Sequence, residues 1–364
     1  MRRGHLAPLG VVFALVSTGC GDGGGDGGDS AVGPTTTTPV REVGAAAIAW
    51  VAVRDDRAPA LFVMNADGSG QARLTDHHPL ADSSPVWSPD GSRLVFVSGD
   101  PGTALVVVDA DGGVPRQLTS HLPAADDAPA WSPDGSRVVY HSLRGEPGAQ
   151  IDEGNTDIFV VDVETGVETR LTDEPAADVG PVWSPDGSQI AFASARDGEF
   201  AIFVMDADGG NQRRLTDDTK AAHSPVWSPD GSRLAYVSLE GDDDFEIMSL
   251  DPRDGDVTRL TTSPGEDRGP VWSPDGSQIV FESLRDGIVE IYVMRADGSA
   301  PTRLTDNGEA DFHPVWSPDG TQIAFESRRD GDFEIYVMHA DGSNQRRLTG
   351  DTELDSSPAW RPHR

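Results

Sequence analysis

Hydrophobic residues in this chain arrive in short runs cut by polar turns, and the runs recur. From Ile48 onward, stretches such as Ile279-Val280-Phe281 and Ile335-Tyr336-Val337-Met338 alternate with segments bearing Gly, Pro and Asp. The runs are continuous instead of alternating, which predicts short strands covered on both faces. Tryptophan marks the period: Trp87, Trp131, Trp183, Trp227, Trp272, Trp316 and Trp360 are spaced by 44, 52, 44, 45, 44 and 44 residues. The first six open the string Trp-Ser-Pro-Asp-Gly, whereas Trp360 is followed by Arg361-Pro362. A second strand follows each string, then often an Arg-Asp-Gly loop (Arg196-Asp197-Gly198, Arg285-Asp286-Gly287, Arg329-Asp330-Gly331). A third strand and a turn such as Ala340-Asp341-Gly342 come next, and a Leu-Thr strand closes each copy, with its Leu at 74, 118, 171, 215, 260, 304 and 348.

Four short strands per copy is the pattern of one propeller blade. A helical repeat would need long stretches free of Gly and Pro, and in the repeats one or the other recurs after at most fourteen residues. The two ends of the array are complementary. The first copy (Ile48-Ala49-Trp50, Leu61 to Met64, Arg73-Leu74-Thr75) lacks the tryptophan strand, and the last (Ser357-Pro358-Ala359-Trp360) is that strand alone. A closed ring joins such fragments and removes exposed sheet edges. The expected fold is therefore all-β, a single seven-bladed β-propeller over 48–364 whose closing blade is shared by the N- and C-terminal strands. Six blades with extra strands is the alternative.

Most repeated residues read as structure. Burying a tryptophan between sheets removes ~150–250 Å² from water, about 4–6 kcal/mol each. Ser-Pro-Asp-Gly and Ala-Asp-Gly are tight turns. The strings Asp109-Ala110-Asp111-Gly112 and Asp206-Ala207-Asp208-Gly209 lack the sixth-position Gly and twelfth-position Glu of a calcium loop. Arg285 with Glu290, and Arg329 with Glu334, are expected to pair across their loops.

The 28 Lys and Arg stand against 61 Asp and Glu, a net charge of −33, which excludes nucleic acid as a natural partner and disfavours docking on anionic lipid. The N-terminus has its own pattern. Met1-Arg2-Arg3 precedes an apolar run from Leu6 to Val16 and the small residues Ser17-Thr18-Gly19 before Cys20, the only cysteine. Residues 1–19 read as a secretory signal. They resemble a bacterial lipoprotein signal, although Ser17 stands where that pattern has Leu or Val. The resemblance implies lipidation of Cys20, a chain facing the periplasm from the cell envelope and, with Gly21 after the cysteine, the outer membrane. The membrane is then met through the lipid anchor alone. Residues 20–47, Gly/Asp-rich and then Thr/Pro-rich, form a disordered linker with a reach of roughly 30 Å.

The repeat PVWSPDGSQIAF, the Arg-Asp-Gly loop, IYVM and the terminal RLT closely resemble the TolB-type, WD-repeat-like propeller repeat over about 317 residues, 48–364. That repeat occurs in TolB, in tricorn-like proteins and ahead of prolyl-oligopeptidase-type hydrolases, so it specifies fold more than function. TolB carries an α/β domain before a six-bladed propeller. The present residues show seven copies and no such segment, so a role in Tol–Pal assembly is not implied.

Loops entering the tryptophan strand, and loops between second and third strands, emerge on one face and vary between copies. They hold His77-His78, His121, Asp126-Asp127, Asp242-Asp243-Asp244 and the insertion Glu146 to Thr156, together with the candidate binding residues His223, Arg268, Phe312 and His313. Variable loops on a rigid scaffold are where binding resides. Five residues before each tryptophan the chain has Asp82, Asp126, Asp178, Ala222, Asp267, Asp311 and Asp355. Six carboxylates near one channel mouth either cap backbone amides in their own loops or gather a cation or basic group. No Gly-x-Ser-x-Gly elbow, His-Glu-x-x-His or phosphate loop is present in these residues, and no hydrolase domain is expected after Arg364. The expected function is a non-enzymatic, monomeric, lipid-anchored scaffold for an envelope protein or peptide, without metal or cofactor. The alternative is a hydrolase or lyase of a small molecule or glycan, using a divalent cation at the acidic mouth.

Overall fold

The computed structural model describes residues 47–362 except 56, 77–79, 100–101, 120–124, 144–154, 218–219, 241–243 and 351–352. The signal, Cys20, residues 20–46 of the linker, His77, His78, His121, Asp242, Asp243 and 146–154 of the insertion lie outside them. The described residues form 28 strands, β1 to β28 in chain order, in seven four-stranded antiparallel sheets.

The closing blade, blade 1, has the order β28-β1-β2-β3, where β28 is Asp355–Trp360, β1 Ala47–Ala52, β2 Ala60–Asn65 and β3 Ala72–Arg73. Ile48 lies opposite Trp360, and Ala52 opposite Asp355. The two chain ends thus share a sheet, as the complementary fragments predict. Blades 2 to 7 begin with the inner strands β4 (Ala81–Trp87), β8 (Ala125–Trp131), β12 (Asp178–Trp183), β16 (Ala222–Trp227), β20 (Asp267–Trp272) and β24 (Asp311–Trp316). Each inner strand touches the next, and β28 touches β4, so the ring closes with seven blades.

The cores lie between blades. Val280 and Ile291 of blade 6, for example, pack with Trp316, Ile323 and Phe325 of blade 7. The seven repeat tryptophans are all buried. Five also stitch neighbours together, because the indole Nε1–H donates to a carbonyl of the preceding blade: Trp87 to Ala359, Trp131 to Val86, Trp227 to Val182, Trp272 to Val226 and Trp316 to Val271, at 3.0–3.3 Å. In the Ser-Pro-Asp-Gly turn, Asp90 Oδ1 accepts from the Ser88 hydroxyl at 2.7 Å and the Ser92 N–H at 2.9 Å. The same bonds hold Asp134 and Asp275 down at about 2.

All seven inner strands bulge at the same place. Each pairing register shifts there, and the residue two after the aspartate position is left-handed: Ser84, Ala128, Gly180, Ser224, Gly269, His313 and Ser357, with φ between 49° and 61°. Five of these are not glycine, so the ring holds them against an intrinsic cost of roughly 1–2 kcal/mol each. The bulge re-aims two residues per blade at the start of the inner strand.

Candidate functional site

Antiparallel order sorts the loops. Because each inner strand starts where the second strand ends, the loops entering inner strands share a face with those joining second and third strands. The aspartates open the inner strands on that face, but they do not face solvent. Asp82, Asp126, Asp178, Asp267, Asp311 and Asp355 are buried. Their side-chain partners are mainly hydroxyls and guanidiniums, with the Trp50 indole on Asp355 and the Asn307 amide on Asp311. Asp82 accepts from Thr75 (2.5 Å) and Ser98 (2.6 Å), and Asp126 from Thr119 (2.5 Å) and Ser142. Asp178 is paired with Arg196 (2.9 Å), Asp267 with Arg285 (2.8 Å), Asp311 with Arg329 (3.1 Å) and Asp355 with Arg54 (2.7 Å). Asp178, Asp267 and Asp311 thereby clamp the Arg-Asp-Gly loops, and all six carboxylates are engaged within the protein. The expected loop pairs are exchanged as well: Glu290 meets Arg303 (2.5 Å) and Glu334 meets Arg347. Blade 5 lacks both halves of the clamp, with Ala222 for the aspartate and Glu240 two residues after Ser238, where Arg285 stands after Ser283.

Each clamp in blades 4, 6, 7 and 1 lies beside a second buried carboxylate from the preceding blade: Asp157 by Asp178, Glu246 by Asp267, Glu290 by Asp311 and Glu334 by Asp355. Burial first, and the neighbouring carboxylate with it, pushes Asp157 up to about 6 and Glu334 up to about 7; Glu246, Asp267, Glu290 and Asp355 also rise. Groups raised in the folded state hold protons that the unfolded chain has released. Their stabilisation is complete below about 4 and is lost as pH rises through about 6–7. The turn aspartates near 2 act oppositely, stabilising above about 4 and losing this as pH falls toward 2. Thermal melts at constant ionic strength should therefore show Tm rising from pH 7.5 to pH 5 and falling below about pH 3.5. A Tm that is flat or falls between pH 7.5 and 5 would contradict the paired-carboxylate description.

One departure from the sevenfold pattern gathers charge on an arc of adjacent blades. Between the inner and second strands, the position facing the bulge is Val51, Val97, Ala193 and Val237 in four blades and His141 in blade 3. In blades 6 and 7 it is Glu282 and Glu326, on β21 (Gln278–Ser283) and β25 (Gln322–Ser327). Both carboxylates are buried, and their partners form a chain across three blades. Arg268 Nε donates to Glu282 Oε2 at 3.0 Å, and the His313 N–H donates to Glu282 Oε1 at 2.8 Å. His313 Nδ1 lies 2.8 Å from Glu326 Oε1, which also accepts the Ser357 N–H at 2.6 Å. The heads of Arg268 and His313 remain 41% and 50% exposed. Burial lowers the His313 pKa, but Glu326 and Glu282 outweigh it and raise it to about 9, so the ring is an imidazolium at neutral pH. Phe312 lies 5.8 Å from Phe333, whose ring carries Arg328 at 5.2 Å.

Of the sequence candidates, Arg268, Phe312 and His313 come together here. His223 stands apart in blade 5, edge-on to Phe245 at 5.4 Å, with burial lowering its pKa. Glu282 and Glu326 escaped the sequence reading, although a lone Glu ending the apolar runs Ile279-Val280-Phe281 and Ile323-Ala324-Phe325 was the available signal. Among the described residues no three His, Cys, Asp or Glu side chains converge as a metal-ligand set.

Comparison with known proteins agrees with this architecture. A putative TolB from Agrobacterium tumefaciens is 29% identical, over 65% of this chain and 84% of that one, with a TM-score of 0.52. An oligogalacturonate lyase from Vibrio parahaemolyticus (19% identical, 79% of this chain and 85% of that one, TM-score 0.65) and a puromycin hydrolase (17%, 87% and 54%, TM-score 0.70) share the fold. An uncharacterized protein of Agrobacterium fabrum is 49% identical over 43 residues, 12% of this chain and 15% of that protein's length. The model of the TolB beta propeller domain matches residues 37–151, 116–264 and 199–364, so the chain belongs to the TolB beta propeller domain family.

Proposed function

We propose that this chain is a non-enzymatic, TolB-like docking platform that holds a protein or peptide partner in the cell envelope, anchored through a lipid on Cys20. The observation that carries the reading is the Arg268–Glu282–His313–Glu326 chain, an arc where buried carboxylates fix half-exposed cationic heads beside the Phe312–Phe333 pair. Fixed donors next to apolar rings suit recognition, because little side-chain freedom is lost on binding. An imidazolium held to about 9 is unsuited to take a proton at neutral pH, as a general base must. The 29% identical relative described as a putative TolB supports an envelope role.

The test is retention of envelope proteins on the full chain, compared with its Arg268→Ala/His313→Ala variant. A discrete protein held at moderate salt should be lost from the variant at a temperature well below the variant's own melt, where both chains are folded. Retention that is absent, or equal in both, would defeat the proposal. Stoichiometric calorimetric binding of Ca²⁺, Mg²⁺ or Zn²⁺ would instead favour the cation-dependent hydrolase or lyase.

A further inference from the structure

On the face of the Ser-Pro-Asp-Gly turns, the junction of blades 5 and 6 opens a groove of about 590 Å³. The repeat itself explains the opening. At three other junctions an arginine of the outer strand crosses to the next blade and donates to the carbonyl just after its third strand. Arg116 Nη2 reaches Val163 O at 2.5 Å, Arg213 Nη2 reaches Pro252 O at 2.5 Å, and Arg346 Nη2 reaches Ala66 O at 2.7 Å. These arginines lie opposite Val107, Val204 and Val337 of their own third strands; in blade 5 the residue in that register, opposite Ser249, is Thr258. Thr258 is too short to reach Ala296, the matching position in blade 6, and both residues line the groove.

Ala72, Thr169 and Thr302 are equally short, but their junctions are better filled. Arg361 lies over Trp87 at 5.3 Å and Arg137 over Trp183 at 4.8 Å, while the hollow between the turns of blades 6 and 7, lined by Asp275 and Asp319, is about 300 Å³. The junction of blades 2 and 3 shows the filled state in full: beside the Arg116 arm, Arg93 pairs with Glu164 at 2.7 Å. Arg233 and Asp297 occupy those two places in the open groove, with Trp272 and Leu260 at its apolar side. Asp230 and Asp275 add two carboxylates to its wall. Bonds from neighbouring serines keep Asp230, Asp275 and Asp297 below the ordinary carboxylate range, so all three are ionised near neutral pH.

We infer that this groove receives the guanidinium of an arginine presented by a partner protein, which takes the place of the missing arm. The guanidinium donates to Ala296 O and pairs with the rim carboxylates, and its methylene stem lies along the Trp272 and Leu260 side. A planar, five-donor cation fits a carbonyl flanked by carboxylates better than a lysine ammonium does. The groove lies on the face opposite the Arg268–His313 arc, so this inference stands apart from the proposed function.

The experiment is calorimetric titration of the full chain with N-acetyl-Gly-Arg-Gly-amide and with its citrulline counterpart, which keeps the shape and loses the charge. The arginine peptide should bind about tenfold more tightly or better, as expected when a charged hydrogen-bonding group is removed. Thr258→Arg should restore the arm, raise Tm and abolish peptide binding. Equal affinity for the two peptides, or undiminished binding to a folded Thr258→Arg variant, would overturn the inference. Should that variant misfold, Asp297→Asn with an unchanged melt decides: a several-fold weaker affinity supports the groove, and an unchanged affinity overturns it.

Discussion

Replacing Arg285 with Met should cost about 3–5 kcal/mol of folding stability, the range for breaking a buried ion pair by removing one partner. Arg285 is held three ways: by Asp267 (2.8 Å), by the Ser283 hydroxyl (2.7 Å) and over the Tyr292 ring (4.5 Å). Methionine keeps part of the ring contact and none of the charge. Asp267 would then be buried beside Glu246 with its main counter-charge gone, and burial already raises both. The loss should be larger at pH 8 than at pH 5, because protonation relieves it. The double variant Arg285→Met/Asp267→Ala should recover much of the stability, since blade 5 folds with Ala222 and without the arginine. Denaturant melts of the four-member cycle measure this directly; additive losses would show that the clamp is not a unit.

The two-residue logic of that clamp was the part least legible in the sequence. Asp267 and Arg285 are 18 residues apart, and they meet because the antiparallel register sets Asp267, at the start of the inner strand, opposite Ser283 at the end of the second. Glu290 looked the nearer partner for Arg285, yet it points toward Arg303. By contrast, the blade count, the shared closing blade and the roles of the tryptophans and Ser-Pro-Asp-Gly turns follow from local chemistry repeated at a fixed period, which a single chain displays. The bulges were hidden because Ser84, Ala128, His313 and Ser357 carry no glycine signal for a left-handed backbone. The recognition arc was half legible. Arg268, Phe312 and His313 stood out as departures between copies, whereas Glu282 and Glu326 sit inside apolar runs, and their role depends on the bulge of the next blade. The aspartates misled for a related reason: their regular placement suggested a shared mouth, but each is occupied within its own blade junction.

Closure of the ring carries the second large effect. Residues 357–364 contribute most of β28, and Trp360 is buried against Ile48, Trp50 and Met64 in the junction of blades 7 and 1. Burial of that ring alone is worth about 4–6 kcal/mol, close to the whole net stability of a typical domain. Without the segment, β1 becomes an open edge, and Glu326 loses the Ser357 N–H that ties the arc to the closing blade. Fold and recognition should therefore fail together. The most direct measurement is the thermal melt and partner retention of a chain ending at Ser356. A seven-bladed ring closed by both termini predicts a broadened melt at much lower temperature and no retained partner; an unchanged Tm with partner binding intact would contradict it.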